Sequence, residues 1–429
     1  MRSFVTSVNN GLIVCSIAVS ALVAVTNVGA QQPAVQAAPA PQAQPAQQPL
    51  APPPPPSWAQ GRPESMKNST LAPNPPGLTA KSATEMKLDR IKLPPGFHIE
   101  LWAQGLPNAR SIAVGAKGTV FVGTRMLENV YAVVEKDGKR QVKTILKGLY
   151  RPNGVAFHNG SLYVAELSRI LRYDNIEDNL DNPPQPVIVF DALPRDEVHG
   201  WKYLTVGPDG WLYFNIGAPC NSCVPPDTHA QIVRVDPKNG VLETVVKGVR
   251  NSVGMAFHPA TKELWFTNHG RDWLGEDLPN DTLHRVANAT RKGVHFGYPY
   301  CHQGDTLDPE HGKGRSCAEF TPPALKLGPH IAPLGMRFYN GKMFPAEFRN
   351  RIILATHGSW NKTSRIGFSL MQVTLDATGK ATRYEPFAEG WAEGNNYWGR
   401  PVDVQVMADG ALLVSDDVAG ALYRISYKR

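Results

Sequence analysis

Residues 196–217 read DEVHGWKYLTVGPDGWLYFNIG, and this stretch indicates how the chain folds. It contains a polar loop with His199, a short apolar run, a turn at Pro208-Asp209-Gly210 and a second run rich in aromatic residues. Two short β-type runs joined by a glycine-containing turn are typical of a β-hairpin.

The same pattern occurs six times along the chain. When the first runs are aligned, the shared position falls at residues 113, 156, 205, 256, 337 and 404 or 405. The first four copies are 43 to 51 residues apart, which is about the length of one four-stranded propeller blade. The chain is therefore predicted to be all-β and to form a six-bladed β-propeller with four-stranded antiparallel blades.

Two alternatives to this prediction remain, namely a pair of stacked β-sandwiches, or a seventh blade within residues 268–330. Ring closure is assigned to Phe97-His-Ile-Glu-Leu-Trp102, which is predicted to complete the blade that ends at Leu422-Tyr-Arg-Ile425. Such closure leaves only short strand edges exposed.

The N-terminal part of the chain differs from the rest in composition. Residues 1–30 combine Arg2, an apolar run and the small residues Val28-Gly29-Ala30, as in a cleaved signal peptide, with a membrane anchor as the alternative. Residues 31–78 are rich in Pro, Ala and Gln and are predicted to be a disordered linker. The propeller is assigned to residues 79–429, in the periplasm or secreted, with no membrane span after signal removal.

The formal net charge is +7 and is spread along the chain without a basic run. This distribution argues against a nucleic-acid partner, and the mild excess suits an anionic ligand.

Four cysteines follow the signal, and in an exported chain an even number predicts disulfides. Cys301 with Cys317, and Cys220 with Cys223, are the expected pairs. A four-cysteine zinc site is the alternative. No His follows Cys223, which excludes the motif for c-type haem attachment.

The first strand of a propeller blade runs along the central channel, so the residue just before it lies at one mouth. In the six copies these positions hold Arg110, Arg151, His199, Arg250 with Asn251, His330 and Arg400. Together they predict a cationic ring that binds a polyanionic small ligand, since arginine binds carboxylates or phosphates through two points. Alternatively, some of them pair with Asp196, Glu197, Asp403 or Asp417 and only fix loops.

His199 differs from the arginines because an imidazole titrates near neutral pH and can take a proton from an alcohol. Asp196 or Glu197 is the expected residue that orients it. A purely structural role is the alternative for a histidine in a loop.

Several motifs resemble those of the glucose/sorbosone dehydrogenase family of soluble quinoprotein sugar dehydrogenases, over about residues 90–429. They are Asp196-Glu-Val-His-Gly200, Gly248-Val-Arg-Asn-Ser-Val-Gly-Met-Ala-Phe257, Asn268-His-Gly-Arg-Asp272 with Asp281, His295-Phe-Gly-Tyr-Pro299, His357-Gly-Ser-Trp-Asn361 and Trp398-Gly-Arg-Pro-Val-Asp403. The resemblance implies a six-bladed propeller that binds pyrroloquinoline quinone (PQQ) and Ca²⁺ over the channel.

The resemblance also implies roles for individual residues. His199 is the expected general base, and the cofactor is expected to contact Arg250, Asn251, Arg400, Arg151, Arg110 and Lys362, with Arg365 as the alternative to Lys362. Calcium is expected at the backbone of Gly270 and Arg271 and near Asp281. Val198, Val402 and Arg271 depart from the residues that family members carry at those places, and Arg110 and Arg151 are expected to replace the missing charge. The alternative is a site that holds another ligand or binds PQQ weakly.

The expected function is PQQ-dependent oxidation of a sugar, a sugar aldehyde or a related alcohol, with electrons passing to an external acceptor. Two further classes remain open: a non-catalytic propeller that binds a ligand or a cell-wall component, and a Ca²⁺-dependent lactonase. The lactonase requires a cluster of carboxylates at the channel, whereas the positions identified are mainly basic.

Overall fold

The computed structural model of the protein describes residues 56–286 and 293–428. The predicted signal peptide at residues 1–30 and residues 31–55 of the predicted linker lie outside this part of the chain. None of the helices within the described ranges has the length and apolar character needed to cross a bilayer.

The described regular structure is almost entirely β. The first strand is β1 (Phe97–Gln104). Blade 1 holds β2 (Ala109–Val114), β3 (Val120–Thr124), β4 (Val130–Lys136) and β5 (Lys139–Leu146), and blade 2 holds β6 (Gly154–His158), β7 (Ser161–Ala165), β8 (Ile170–Tyr173) and β9 (Val187–Phe190). Blade 3 holds β10 (Leu204–Val206), β11 (Leu212–Ile216), β12 (Gln231–Val235) and β13 (Leu242–Lys247).

The second half of the chain adds two small hairpins to the same plan. Blade 4 starts with β14 (Met255–Phe257), β15 (Leu264–Asn268) and β16 (Asn280–Val286), continues through a hairpin of β17 (Cys301–His302) and β18 (Thr306–Leu307), and ends with β19 (Leu325–Pro329). Blade 5 holds β20 (Pro333–Phe338), β21 (Ile352–Thr356), β22 (Ser369–Leu375) and β23 (Ala381–Glu389), followed by a hairpin of β24 (Ala392–Glu393) and β25 (Asn396–Tyr397). Blade 6 holds β26 (Pro401–Val406), β27 (Leu412–Asp416) and β28 (Ala421–Tyr427).

The helices are single turns of 3-10 type. They are Ser57–Ala59, Glu64–Met66, Ala83–Glu85, Leu88–Arg90, Ile176–Asp178, Cys317–Glu319 and Ala346–Phe348.

The six sheets form a closed ring, which confirms the predicted six-bladed β-propeller with four-stranded antiparallel blades. First strands of neighbouring blades contact one another, as β2 does with β6 and β26. The β17–β18 hairpin and β19 account for much of residues 268–330, so in the described part of that stretch there is no seventh blade.

β1 supplies the fourth strand of blade 6 by pairing antiparallel with β28, as the sequence predicts. Phe97 lies opposite Tyr427 in this pairing. The ring of Phe97 packs against Phe344, Phe348 and Phe387 at centroid distances of 4.7, 5.0 and 5.2 Å. Closure therefore combines a hydrogen-bonded ladder with an aromatic cluster.

The second strands β3, β7, β11 and β27 are buried along their whole length. Each lies in the middle of a blade whose two faces pack against neighbouring blades. Burial on both faces explains why these segments are continuous apolar runs rather than alternating ones.

Residues 56–78 differ from the predicted disordered linker, because they lie along the propeller. The Asn108 amide donates to the Gly77 carbonyl oxygen at 3.3 Å. The chain then continues with the Lys81 N–H donating to Ala419 O at 2.9 Å, and it reaches β1 through a bridge between Lys92 and Glu389. Composition missed this because packing against an existing surface needs few apolar residues.

Both expected disulfides are present, Cys220–Cys223 and Cys301–Cys317. Cys301 starts β17 and Cys317 starts a 3-10 turn, so this bridge ties the inserted hairpin of blade 4 to the segment that leads into β19. The four-cysteine zinc alternative is thereby overturned.

Replacing Phe97 by Ala is expected to lower the free energy of unfolding by about 3–5 kcal/mol, because a large ring leaves a packed cluster. Denaturant unfolding measures this difference. His98→Ala is the matched control, since His98 is exposed on the same strand and should change stability by less than about 0.5 kcal/mol. Equal effects of the two substitutions would contradict closure through β1.

Candidate active site

A cavity of about 420 Å³ lies at one mouth of the channel. Its wall contains all the ring positions inferred from the repeats, namely Arg110, Arg151, His199, Arg250, Asn251, His330 and Arg400. The residues converge because each of them lies close to the start of the innermost strand of its blade: Arg110 is the second residue of β2, and the others lie one to five residues before the first strand. A cavity of this volume suits a small-molecule ligand.

His199 lies on the cavity wall with a left-handed backbone, at φ 51°. Its Nδ1 is 2.8 Å from the carbonyl oxygen of Ala218, just after β11. A carbonyl only accepts hydrogen bonds, so Nδ1 carries the proton, and Nε2 has no hydrogen-bond partner among the described residues. Burial, followed by the positive charge of Arg250, lowers the pKa of His199 well below its usual value. The imidazole is therefore a neutral base with a free lone pair.

The expectation that Asp196 or Glu197 orients His199 is wrong. Asp196 pairs with His229, at 3.0 Å between its Oδ2 and Nε2 of the imidazole. Glu197 accepts hydrogen bonds from Tyr150 and Arg151. The Ala218 carbonyl takes the orienting role, which residue type cannot indicate because every residue has a carbonyl.

Three of the predicted arginines have a carboxylate partner. Arg110 pairs with Asp417 at 3.0 Å, Arg151 with Glu197 at 3.2 Å and Arg250 with Asp272 at 2.8 Å. The alternative that ring arginines fix loops is therefore correct in part. Burial opposes ionisation of Asp417, but His357, Arg110 and Arg400 outweigh it and hold its pKa below the usual range.

Two further arginines on the cavity wall, Arg125 and Arg400, form no ion pair with any carboxylate in the part of the chain that the structure describes. Arg400 donates to the carbonyl oxygens of His357 and Gly358 at 2.8 and 2.9 Å. Arg125 stacks over the Trp201 ring, and its buried Nε has no partner. Burial lowers the pKa of Arg125 to about 9 and that of Arg400 to about 10.

Of the residues predicted near calcium, the structure brings Gly270 and Asp281 to the cavity wall. The Asp281 carboxyl accepts hydrogen bonds from the N–H groups of Gly270 and Ala332, both at 2.8 Å, and burial raises its pKa to about 6. The side chain of Arg271 turns towards Asp308 instead, at 2.7 Å.

Lys362 is not part of the cavity wall. Its Nζ donates to the Glu276 carbonyl oxygen at 2.8 Å and to the Asp277 carboxylate at 2.7 Å. The neighbouring Asn361 does reach the cavity and donates to Asp272 at 2.8 Å.

Known proteins are similar to the chain in sequence and in fold. A family model described as TrAA12-like matches residues 236–428. An uncharacterized protein of Borreliella burgdorferi is 30% identical over 361 residues, which cover 81% of this chain and 93% of that protein. The chain belongs to the glucose/sorbosone dehydrogenase family.

Solved structures similar to the chain share its fold. A calcium structure of the Trichoderma reesei carbohydrate-active enzyme family AA12 superposes with a TM-score of 0.68 at 19% identity, covering 79% of this chain and 97% of that one. The holo form of the PQQ domain of a pyranose dehydrogenase from Coprinopsis cinerea gives 0.63 at 18% identity, covering 78% and 97%.

The residues present fit the tricarboxylate cofactor that the glucose/sorbosone dehydrogenase family implies. Arg400 is buried and Arg125 is half-buried, and among the described residues neither forms an ion pair with a carboxylate. A charge withdrawn from water is costly unless an opposite charge compensates it. Asn251 also has a buried Oδ1 without a partner. These groups provide donors and an acceptor for an anionic heterocycle.

The residues at this place fit a calcium ion less well than they fit the organic cofactor. Calcium takes six to eight oxygen ligands, whereas no group of three His, Cys, Asp or Glu side chains suited to a metal occurs in residues 56–286 and 293–428. The Gly270 carbonyl already accepts a hydrogen bond from Arg250 at 2.7 Å. Protein groups at this place would therefore supply only part of a coordination shell.

Sequence reasoning missed Arg125, His269 and His357, which also line the cavity. Each follows the second strand of a blade, directly after β3, β15 and β21. In an antiparallel hairpin the end of the second strand lies beside the start of the first. Reading the residue after each second run, as well as the residue before each first run, would have found them.

The imidazole of His199 is expected to remain neutral and protonated at Nδ1 through the pH range in which an ordinary histidine titrates, because burial and the positive charge of Arg250 lower its pKa. ¹⁵N-resolved NMR of the histidine side chains measures this state, with assignment from the signal that His199→Asn loses. A titration of His199 near pH 6.5 would contradict the expectation.

Replacing Arg125 by Met is expected to raise the Tm of the ligand-free protein, because the substitution removes a desolvated cation whose Nε has no partner. The same variant should lose most of the Tm increase that PQQ causes in the wild-type protein. Thermal unfolding with and without PQQ measures both effects.

Arg140→Met is the matched control for this test, because Arg140 also stacks on a tryptophan ring but is exposed on blade 1. It should leave the PQQ-dependent increase unchanged. If Arg125→Met kept the full increase, Arg125 would not contact the ligand.

Proposed function

We propose that the protein is a PQQ-dependent oxidoreductase that oxidises a sugar, a sugar aldehyde or a related alcohol. The observation that carries the proposal is one cavity that combines two guanidinium groups with a neutral imidazole, where, within residues 56–286 and 293–428, neither guanidinium group pairs with a carboxylate and the imidazole Nε2 has no partner. Belonging to the glucose/sorbosone dehydrogenase family supports the same class of reaction.

The arginines account for binding of the cofactor. Among the described residues, Arg125 and Arg400 are the cavity arginines that form no ion pair with a carboxylate, so they are assigned to carboxylates of PQQ. Arg110, Arg151 and Arg250 already hold protein carboxylates and are assigned to shaping the cavity and raising its positive potential. Asn251 is assigned to a polar edge of the cofactor through its unpartnered Oδ1.

His199 is assigned the role of general base, which removes the proton of the substrate hydroxyl group. The free Nε2 accepts the proton of a substrate hydroxyl while the Ala218 carbonyl holds Nδ1–H and so keeps the ring in one orientation. Bound PQQ would supply a hydride acceptor for the carbon that bears the hydroxyl group, so that the substrate would lose two electrons and two hydrogens and gain a C=O bond, and an external acceptor would take up the two electrons.

Calcium is proposed as a second cofactor beside Gly270 and Asp281, on the resemblance to the family. Because the described residues supply few oxygens there, calcium is expected to bind together with the organic cofactor rather than alone. The function is proposed for the periplasm or the extracellular space, a location that the two disulfides and the leader composition support.

Replacing His199 by Gln is expected to lower kcat by about 10²–10⁴-fold, the range for loss of a general base, while PQQ affinity changes little. Dye reduction with aldoses and aldehydes gives kcat, and equilibrium titration with PQQ gives affinity. His229→Gln is the matched control, since His229 pairs with Asp196 and does not line the cavity.

Two outcomes would refute the proposal. A wild-type protein that binds no PQQ in the presence of Ca²⁺ would exclude the quinoprotein reaction. A protein that binds PQQ yet oxidises none of the tested sugars and aldehydes would favour a non-catalytic propeller. For the lactonase alternative, no observation on the described cavity wall favours a carboxylate cluster.

A further inference from the structure

The segment before the propeller contributes to the cavity. Trp58, Pro73 and Asn74 all line it, although composition places them in a linker. We name residues 56–78 the leader strap. Its presence at the cavity raises the question of which ligand group it would contact.

Side chains of the propeller donate hydrogen bonds to main-chain carbonyl groups at the start of the leader strap and hold it in place. The Trp273 indole N–H donates to the Trp58 carbonyl oxygen at 2.7 Å. The Asn221 amide donates to the Gln60 carbonyl oxygen at 2.8 Å, and the same amide donates to the Asp272 carbonyl oxygen at 3.1 Å. Contacts to carbonyl groups fix the path of the chain and leave the Trp58 side chain to contact the cavity.

Arg62 connects the two halves of the leader strap. Its guanidinium group lies 5.2 Å from the Trp58 ring and 4.4 Å from the Trp273 ring, within the range of cation–π contacts. It also donates to the carbonyl oxygens of Ser69 and Leu71 at 3.0 and 3.1 Å. The strap is therefore folded onto itself as well as onto the propeller.

Trp58 meets Trp360 of blade 5 at the cavity wall. The two rings pack edge to face, with centroids 5.9 Å apart and an interplanar angle of 81°. Trp360 in turn packs edge to face on Trp273 at 5.4 Å. Trp58 and Trp360 are half-buried and both line the cavity, so aromatic surface forms part of the wall here.

Polar groups lie next to this aromatic surface. Asp272 and Asn361 line the same cavity, and their side chains are hydrogen-bonded to each other at 2.8 Å. Carboxylate and amide oxygens with remaining lone pairs accept hydrogen bonds from hydroxyl groups. A pyranose ring has the complementary chemistry, since its C–H groups form an apolar face and its hydroxyl groups project from the edge.

We propose that Trp58 of the leader strap binds the apolar face of a sugar ring, so that the strap selects cyclic aldoses over linear aldehydes. The assignment rests on the proposed oxidoreductase function for its catalytic consequence, but not for the binding itself. A linear aldehyde has no flat face to stack on an indole, so its binding would not depend on Trp58.

The test uses the full chain with Trp58→Ala, Trp58→Phe and Trp102→Ala. Trp102 is the matched control because it is a half-buried tryptophan under an arginine, Arg140, and does not line the cavity. Calorimetric titration with D-glucose, D-galactose and D-xylose measures sugar binding without turnover. PQQ affinity and dye-linked oxidation of glycolaldehyde are measured in parallel.

The expected result for Trp58→Ala is a loss of about tenfold or more in affinity for the aldoses that the wild-type protein binds. PQQ affinity and kcat/KM for glycolaldehyde should stay within about twofold. Trp58→Phe, which keeps an aromatic face, should recover most of the affinity, and Trp102→Ala should match the wild-type protein.

Unchanged aldose affinity in Trp58→Ala would overturn the inference, and so would a wild-type protein that binds none of the three sugars. An equal loss of aldose binding in Trp58→Ala and Trp58→Phe would also overturn it, because the aromatic face would then not matter. Failure of PQQ binding has a separate readout, so a protein that binds aldoses through Trp58 without PQQ would refute only the proposed oxidation.

Discussion

Closure of the ring by β1 is the constraint on which the rest of the structure depends. β1 pairs with β28 at the other end of the folded chain, and Phe97 anchors the pairing in an aromatic cluster. A buried ion pair between Arg110 and Asp417, together with a hydrogen bond of 2.6 Å from the Ser415 hydroxyl to the Arg110 carbonyl oxygen, joins blades 1 and 6 at the mouth. Without closure the residues that precede the six first strands would not share one cavity.

Several groups on the cavity wall lower the stability of the folded protein. Arg400 is buried and Arg125 half-buried, and neither forms an ion pair with a carboxylate among the described residues, while His199 is held in its neutral form beside Arg250. Such an arrangement costs folding free energy, and it also means that an anion entering the cavity meets charges that need no rearrangement. The site is thus preorganised to bind a polyanionic ligand.

Asn221 links several parts of this site. It lies inside the small loop closed by Cys220–Cys223, and it contacts the leader strap through Gln60 and the cationic ring through Arg250. Its Oδ1 also accepts from the Asp272 N–H at 2.8 Å. The disulfide restricts the backbone of a residue on which one wall of the cavity and the strap both depend, which gives a two-residue loop a role in shaping the site.

Sequence alone determined the blade repeat, the closing strand and the ring positions such as Arg250 and Arg400, because a repeated hairpin places equivalent residues at equivalent points. Tertiary structure decided three further features: the carbonyl of Ala218 as the partner of His199, Arg125 as an arginine that pairs with no carboxylate among the described residues, and the leader strap at the cavity. The physical reason is that backbone carbonyls carry no sequence signature, and charge compensation depends on which distant side chains meet. The leader strap gains its order from a surface that exists only once the ring has closed.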